Sequence, residues 1–84
     1  KKIWFDEAWA EYLYWQTQDK NIKTNNALLK DIERGHFDGI GKPEPLKGNY
    51  SGFWSRRIDD GNRLIYRINN GILEVLSCKG HYED

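Results

Sequence analysis

Two prolines flank a single glutamate at Pro43-Glu44-Pro45, near the middle of the chain. Proline fixes its own φ and pushes the residue before it into extended geometry. Glu44 is therefore restrained from both sides, and no helix runs through it. The segment divides the chain into an upstream part with helical periodicity and a downstream part with strand alternation. Lys42 and Lys47 stand on either side. A solvated surface acid does not need such restraint. The rest of the chain reads as a scaffold that brings basic side chains and one histidine up to this carboxylate.

Upstream, Lys2-Ile3-Trp4-Phe5 is a short strand, and Asp6 offers an N-cap with Glu7 in the first turn. The first helix runs to about Trp15 or Gln16. Trp9, Tyr12, Leu13 and Gln16 fall on one face at helical spacing, and Tyr14 and Trp15 lie off it, either leaning over the helix edge or serving a protein contact. Thr17-Gln18-Asp19 breaks it, and Asp19 caps a second helix with the stripe Ile22, Leu28, Leu29 and Ile32. Asn25 lies on that stripe, and Gly35 is the stop. Residues 36–51 form a loop by composition, with Gly39, Gly41, Pro43, Pro45 and Gly48. A loop that long without an element of its own is uncommon and often functional. Strands over 52–58, 63–68 and 72–79 follow, joined by turns at 59–62 and 69–71. The order β-α-α-β-β-β predicts an α+β fold, a helical hairpin on one face of a twisted antiparallel sheet.

The 84 residues form one domain over 1–84, with a core made dense by aromatics. The formal net charge of zero argues against a general polyanion binder. A local basic patch coexists with it, because Lys42, Lys47, Arg56, Arg57, Arg63 and Arg67 crowd into residues 42–67. Cys78 is the single cysteine, so no intrachain disulfide forms, and with two histidines it is too little for a zinc site. The expectation is no metal and no cofactor. No apolar run is long enough for a membrane span and no signal-peptide pattern opens the chain, which predicts a soluble, cytoplasmic protein.

Several segments share one resemblance. Residues 41–57, Gly-Lys-Pro-Glu-Pro-Leu-Lys-Gly-Asn-Tyr-Ser-Gly-Phe-Trp-Ser-Arg-Arg, are similar to the YoeB toxins of bacterial toxin–antitoxin pairs. So are Asn62-Arg63-Leu64-Ile65-Tyr66, Tyr12-Leu13-Tyr14-Trp15-Gln16 and the ending Cys78-Lys79-Gly80-His81-Tyr82. The resemblance implies a RelE-like fold and ribosome-dependent cleavage of messenger RNA without metal. The 2′-hydroxyl attacks the adjacent phosphorus and the 5′-oxygen leaves. It implies Glu44 as base, His81 as acid and Arg63 as phosphate clamp, with Lys47 and Arg57 on the RNA backbone and Tyr82 on a base or phosphate. It also implies a YefM-like antitoxin and the ribosome as partners; a homodimer stays open. Two departures stand out: Gly80 replaces a bulkier residue, and Glu83-Asp84 extends past the usual histidine–tyrosine ending.

The residue types suit these roles on physical grounds. Imidazole titrates nearest neutral pH, and a guanidinium forks onto two phosphate oxygens. Taken singly, each has another reading. Glu44 can be a turn acid paired with Lys42 or Lys47, Arg63 can pair with Asp59 or Asp60, and His81 can be a solvated tail residue. Arg56 and Arg57 alternate to opposite faces, so at most one of them lines a site and the other meets a partner or water. The rival function class is a non-catalytic toxin of the same fold that acts by binding protein, as ParE toxins do on gyrase. Strand parity adds a condition. A regular two-residue turn at Asn70-Gly71 sets Arg63 opposite Cys78 and on the face away from His81. A three-residue loop over Asn69-Asn70-Gly71, or a bulge near Gly80, restores a shared face.

Overall fold

The computed structural model describes residues 2–80. Strand β1 (Lys2–Trp4) leads into helix α1 (Asp6–Trp15) and helix α2 (Asp19–Arg34). Strand β2 (Glu44–Pro45), a 3₁₀ turn (Gly48–Tyr50) and strands β3 (Trp54–Asp59), β4 (Asn62–Asn69) and β5 (Ile72–Ser77) follow. The five strands form one sheet in the order β1-β5-β4-β3-β2. β1 pairs parallel to β5 and every other pairing is antiparallel. The helices pack on the face that carries Leu64 and Tyr66, and bury them with Leu28, Leu29, Ile32, Leu73 and Val75. The α+β prediction holds, with two additions. The long loop contains the two-residue strand β2, and β1 makes the sheet mixed.

Neither helix is capped as predicted. Phe5 and Gln18 take the N-cap positions without a side-chain bond, and Asp6 and Asp19 are the first helical residues. Their carboxylates favour the helix dipole from the first turn. The inward face of α1 also differs. Ala8 and Trp15 are buried, whereas Trp9 and Leu13 are 46% and 44% exposed. A helix with apolar residues nearly all round leaves its rotation open to periodicity. Polar groups decide it here. Trp15 Nε1–H donates to the Cys78 carbonyl at 2.6 Å, and the Glu11 carboxylate accepts the Cys78 N–H at 2.8 Å. Ala8 lets the helix approach closely enough for both. Cys78 is fully buried, and burial together with Glu11 pushes its thiol up to about 12, which keeps it unreactive.

The stripe of α2 is as predicted, and Asn25 on it is wholly buried. Neither polar atom of its amide has a hydrogen-bond partner among the described residues. An unpaired buried polar group costs about 1–3 kcal/mol. Replacing Asn25 by leucine, which keeps the branching at Cγ and removes both unpaired groups, is expected to raise stability by about 1–2 kcal/mol, read as a higher urea midpoint at unchanged slope.

The β4–β5 hairpin closes on a two-residue turn. Asn69 pairs with Ile72, and Asn70 and Gly71 have φ of 52° and 77°. The three-residue loop is therefore incorrect, because both central residues take the left-handed geometry that matches strand twist. The register slips further along. Tyr66 faces Val75 but Ile65 faces Ser77, so Leu76 is bulged. A bulge is present at Leu76, and beyond the paired residues the Arg63 N–H reaches the Gly80 carbonyl, one residue past the position opposite Lys79 that the Ile65–Ser77 pairing would give. The bulge moves Arg63 away from the regular position opposite Cys78.

Candidate functional site

The face of the sheet away from the helices collects Glu44, Arg57 and Arg63 of the predicted site. Alternate amides of an edge strand point outward, and Pro43 and Pro45 fall at those positions. Leu46 N–H, on the inward phase, donates to the Phe53 carbonyl at 2.9 Å. The prolines thus cost no ladder bond, and they remove donors that would recruit a further strand. Glu44 pairs with Ser55, and Ser55 with Ile65, so Glu44, Ser55 and Ile65 form one row across β2, β3 and β4. In the adjacent row Arg57 pairs directly with Arg63. Glu44 lies diagonally across from Arg57, a separation of about 7–8 Å between strand positions. Beyond them Arg67 lies over the Phe53 ring at 4.9 Å and is ion-paired with Glu74.

Two guanidiniums directly opposite each other on a sheet repel. Among the described residues neither Arg57 nor Arg63 has a carboxylate partner. Arg63 does not pair with Asp59, whose carboxylate instead accepts from Gly61 N–H, Asn62 and Asn21. Burial pushes the Asp59 carboxyl up, but these donors outweigh it and hold the group below its usual range. Glu44 is exposed, with no hydrogen bond or ion pair found for its carboxylate among the described residues. Lys47 follows on the loop, at the start of the 3₁₀ turn. The face can hold an anion between the two guanidiniums with a carboxylate alongside.

His81 and Tyr82 lie outside the described residues. The chain leading to them is anchored at Gly80. Its N–H donates to Asn62 Oδ1 at 2.7 Å, and its carbonyl accepts the Arg63 N–H at 3.0 Å. Glycine at position 80 is therefore held at both backbone groups, with φ +85°.

Arg56 is the residue that sequence reasoning missed. It does not meet water: its side chain is fully buried. Its guanidinium donates to Asp31 Oδ2 at 2.6 Å, to the carbonyls of Gly35, Asp38 and Ile40 at 2.7, 3.0 and 3.2 Å, and to the Tyr66 hydroxyl at 3.2 Å. The Tyr66 hydroxyl in turn donates to the His36 carbonyl at 2.7 Å. The signal was available, since Arg56 alternates with the apolar Trp54 and Ile58 on one strand. Asp31 also accepts the Ile40 N–H at 2.9 Å. That bond, with the Arg56 bond second, holds the Asp31 carboxyl below its usual 3.8. A depressed folded-state pKa gives stability that is fully present above the unfolded value and is lost as pH falls through the folded one. The Asp31 contribution therefore fades below pH 3.8. Asp31→Asn is expected to flatten the acid limb of the stability–pH curve, measured by urea midpoints on either side of that value.

Comparison with known proteins gives the same picture. The model of the YoeB-like toxin of bacterial type II toxin–antitoxin systems matches residues 4–82. Toxin YoeB of Escherichia coli K12 is 53% identical over 83 residues, covering 98% of this chain and 99% of that protein. The solved YoeB/ParE toxin from Agrobacterium tumefaciens is 41% identical, with a TM-score of 0.94 over 98% of this chain and 99% of that one. A YoeB–YefM complex from Staphylococcus aureus is 40% identical, with a TM-score of 0.92 over 98% and 97% of the two chains. A YoeB dimer from Staphylococcus aureus is 42% identical, with a TM-score of 0.89 over 98% and 97% of the two chains. With this fold, this open basic face and these relatives, the chain belongs to the YoeB family of toxins of bacterial type II toxin–antitoxin systems.

Proposed function

We propose that the protein is an endoribonuclease that cuts messenger RNA in the ribosomal decoding site and so blocks translation. The observation that carries this reading is the Arg57–Arg63 pair, without a carboxylate partner among the described residues, on one face with Glu44. A phosphodiester supplies negative charge to this pair, and planar guanidiniums fork onto its oxygens. Glu44 takes the proton of the 2′-hydroxyl and the 2′-oxygen bonds to phosphorus. The bond from phosphorus to the 5′-oxygen breaks, and His81 gives that oxygen a proton. The products are a 2′,3′-cyclic phosphate and a 5′-hydroxyl. Arg63 balances the charge that grows on the phosphorane. Lys47 and Arg57 hold the backbone, and Tyr82 stacks on a base or bonds a phosphate. The partners of this reading are the ribosome and a YefM-like antitoxin, with a homodimer as the free form.

Mapping messenger breaks on purified ribosomes tests it, with wild type, Glu44→Ala and His81→Ala. Breaks made by wild type and lost in both variants are the expected result. Cleavage that survives both changes removes the acid–base scheme. Translation arrest with intact messenger transfers the reading to a toxin that acts by binding protein.

A further inference from the structure

We propose that Arg56, buried on the opposite face of the sheet, is the positioning residue that sets Glu44 for proton transfer. The proposal rests on the reading of Glu44 as base. The segment that delivers Glu44 starts at the end of α2 and has no regular structure until β2. Its carbonyls at Gly35, Asp38 and Ile40 converge on one guanidinium. Ile40 is held twice, its N–H by Asp31 and its carbonyl by Arg56, and Asp31 is itself fixed by Arg56. A loop this polar would otherwise satisfy those groups with water and move freely. Here one buried cation replaces the water.

From Ile40 only three residues remain before Glu44, and each is constrained. The Gly41 carbonyl accepts the Arg57 N–H at 2.6 Å. A side chain at position 41 would stand 2.7 Å from Leu28 and 3.1 Å from the Cβ of Arg56, so the loop can lie against Arg56 only with glycine there. Lys42 has a left-handed φ of 52°, although the proline after it favours extended backbone. Such a conformation persists only where both flanks are fixed. Pro43 then holds its own φ, and Glu44 enters the ladder opposite Ser55. Arg56 and Arg57 thus divide one task between the two faces of β3. Arg56 fastens the loop that carries the carboxylate, and Arg57 faces the phosphate.

Lysine at position 56 keeps the charge and an ion pair with Asp31 but cannot reach the spread of carbonyls that the planar fork serves. Arg56→Lys is expected to lower the single-turnover cleavage rate at least ten-fold on ribosomes carrying a defined messenger, with the ribosome concentration for half-maximal rate unchanged. In the Glu44→Ala background the same change is expected to do nothing further, because there is no carboxylate left to misplace. Circular dichroism confirms that each variant is folded. Asp31→Asn, which keeps the side-chain shape, repeats the test with a smaller loss and carries it if Arg56→Lys does not fold. Losses that multiply with Glu44→Ala overturn the proposal, since Arg56 then acts elsewhere than through Glu44. Full-rate cleavage by folded Arg56→Lys and Asp31→Asn overturns it as well. Full-rate cleavage by Glu44→Ala alone is a separate result and removes the base role itself.

Discussion

Glu44→Ala is expected to slow messenger cleavage by about 10²- to 10⁴-fold, the range for loss of a positioned general base, with little change in stability. Glu44 is exposed on an edge strand of two residues and closes no ion pair found among the described residues. Surface substitutions of that kind usually stay within about 0.5 kcal/mol. Activity and stability therefore separate at this position, and that separation distinguishes a base from a structural acid. Glu44→Gln sharpens the test, because the amide fills the same space and cannot accept the proton. Both variants are expected to lose rate to a similar degree. The measurement is a single-turnover rate on ribosomes with a defined messenger, beside a thermal midpoint. A glutamine variant at wild-type rate would show that shape and not basicity matters at position 44.

Arg56→Ala is expected to cost about 3–5 kcal/mol, the range for breaking a buried ion pair from one side. The change leaves Asp31 without its cation and leaves the carbonyls of Gly35, Asp38 and Ile40 without their donor. It also opens a cavity beside Tyr66. A domain of this length holds roughly 4–12 kcal/mol in total, at about 0.05–0.15 kcal/mol per residue. The variant is expected to be marginally folded at best. Urea denaturation followed by circular dichroism measures the loss, and Arg57→Ala, on the open face of the same strand, is the control. Loss of the exposed Arg57 removes a like-charge contact with Arg63 and is expected to leave stability unchanged or slightly higher. Equal losses at the two positions would contradict the division of β3 into a structural and an open face.

The two arginines also show what is legible in a chain and what is not. Alternation along Trp54–Asp59 places Arg56 and Arg57 on opposite faces without any coordinates. Which face is the core depends on where the helices pack, and that is a property of the assembled sheet. The acceptors of Arg56 come from α2, from the loop after it and from β4, up to 25 residues away. No local pattern reports such a convergence. The rotation of α1 was hidden for a similar reason. Its apolar residues permit several inward faces, and the bonds from Trp15 and Glu11 to Cys78 span more than 60 residues.

The sequence by itself determined that residues near Pro43-Glu44-Pro45 are not helical, that two helices precede them and that antiparallel strands follow. These are local matters of φ restriction and side-chain period. Through the resemblance to YoeB toxins it also singled out Glu44, Arg63 and His81, with Arg57 as a backbone contact, because a restrained carboxylate, a guanidinium and an imidazole suit phosphate chemistry. The tertiary structure decided that Glu44, Arg57 and Arg63 share a face. Glu44 reaches it by pairing with Ser55 at the sheet edge, where the two prolines sit on the side that needs no donors. Arg57 and Arg63 reach it by direct pairing between β3 and β4. Register is a long-range quantity, and a slip of one residue sends a side chain to the other face. The pairings of Glu44 with Ser55 and of Arg57 with Arg63 fixed it in a way that the residue types alone left open.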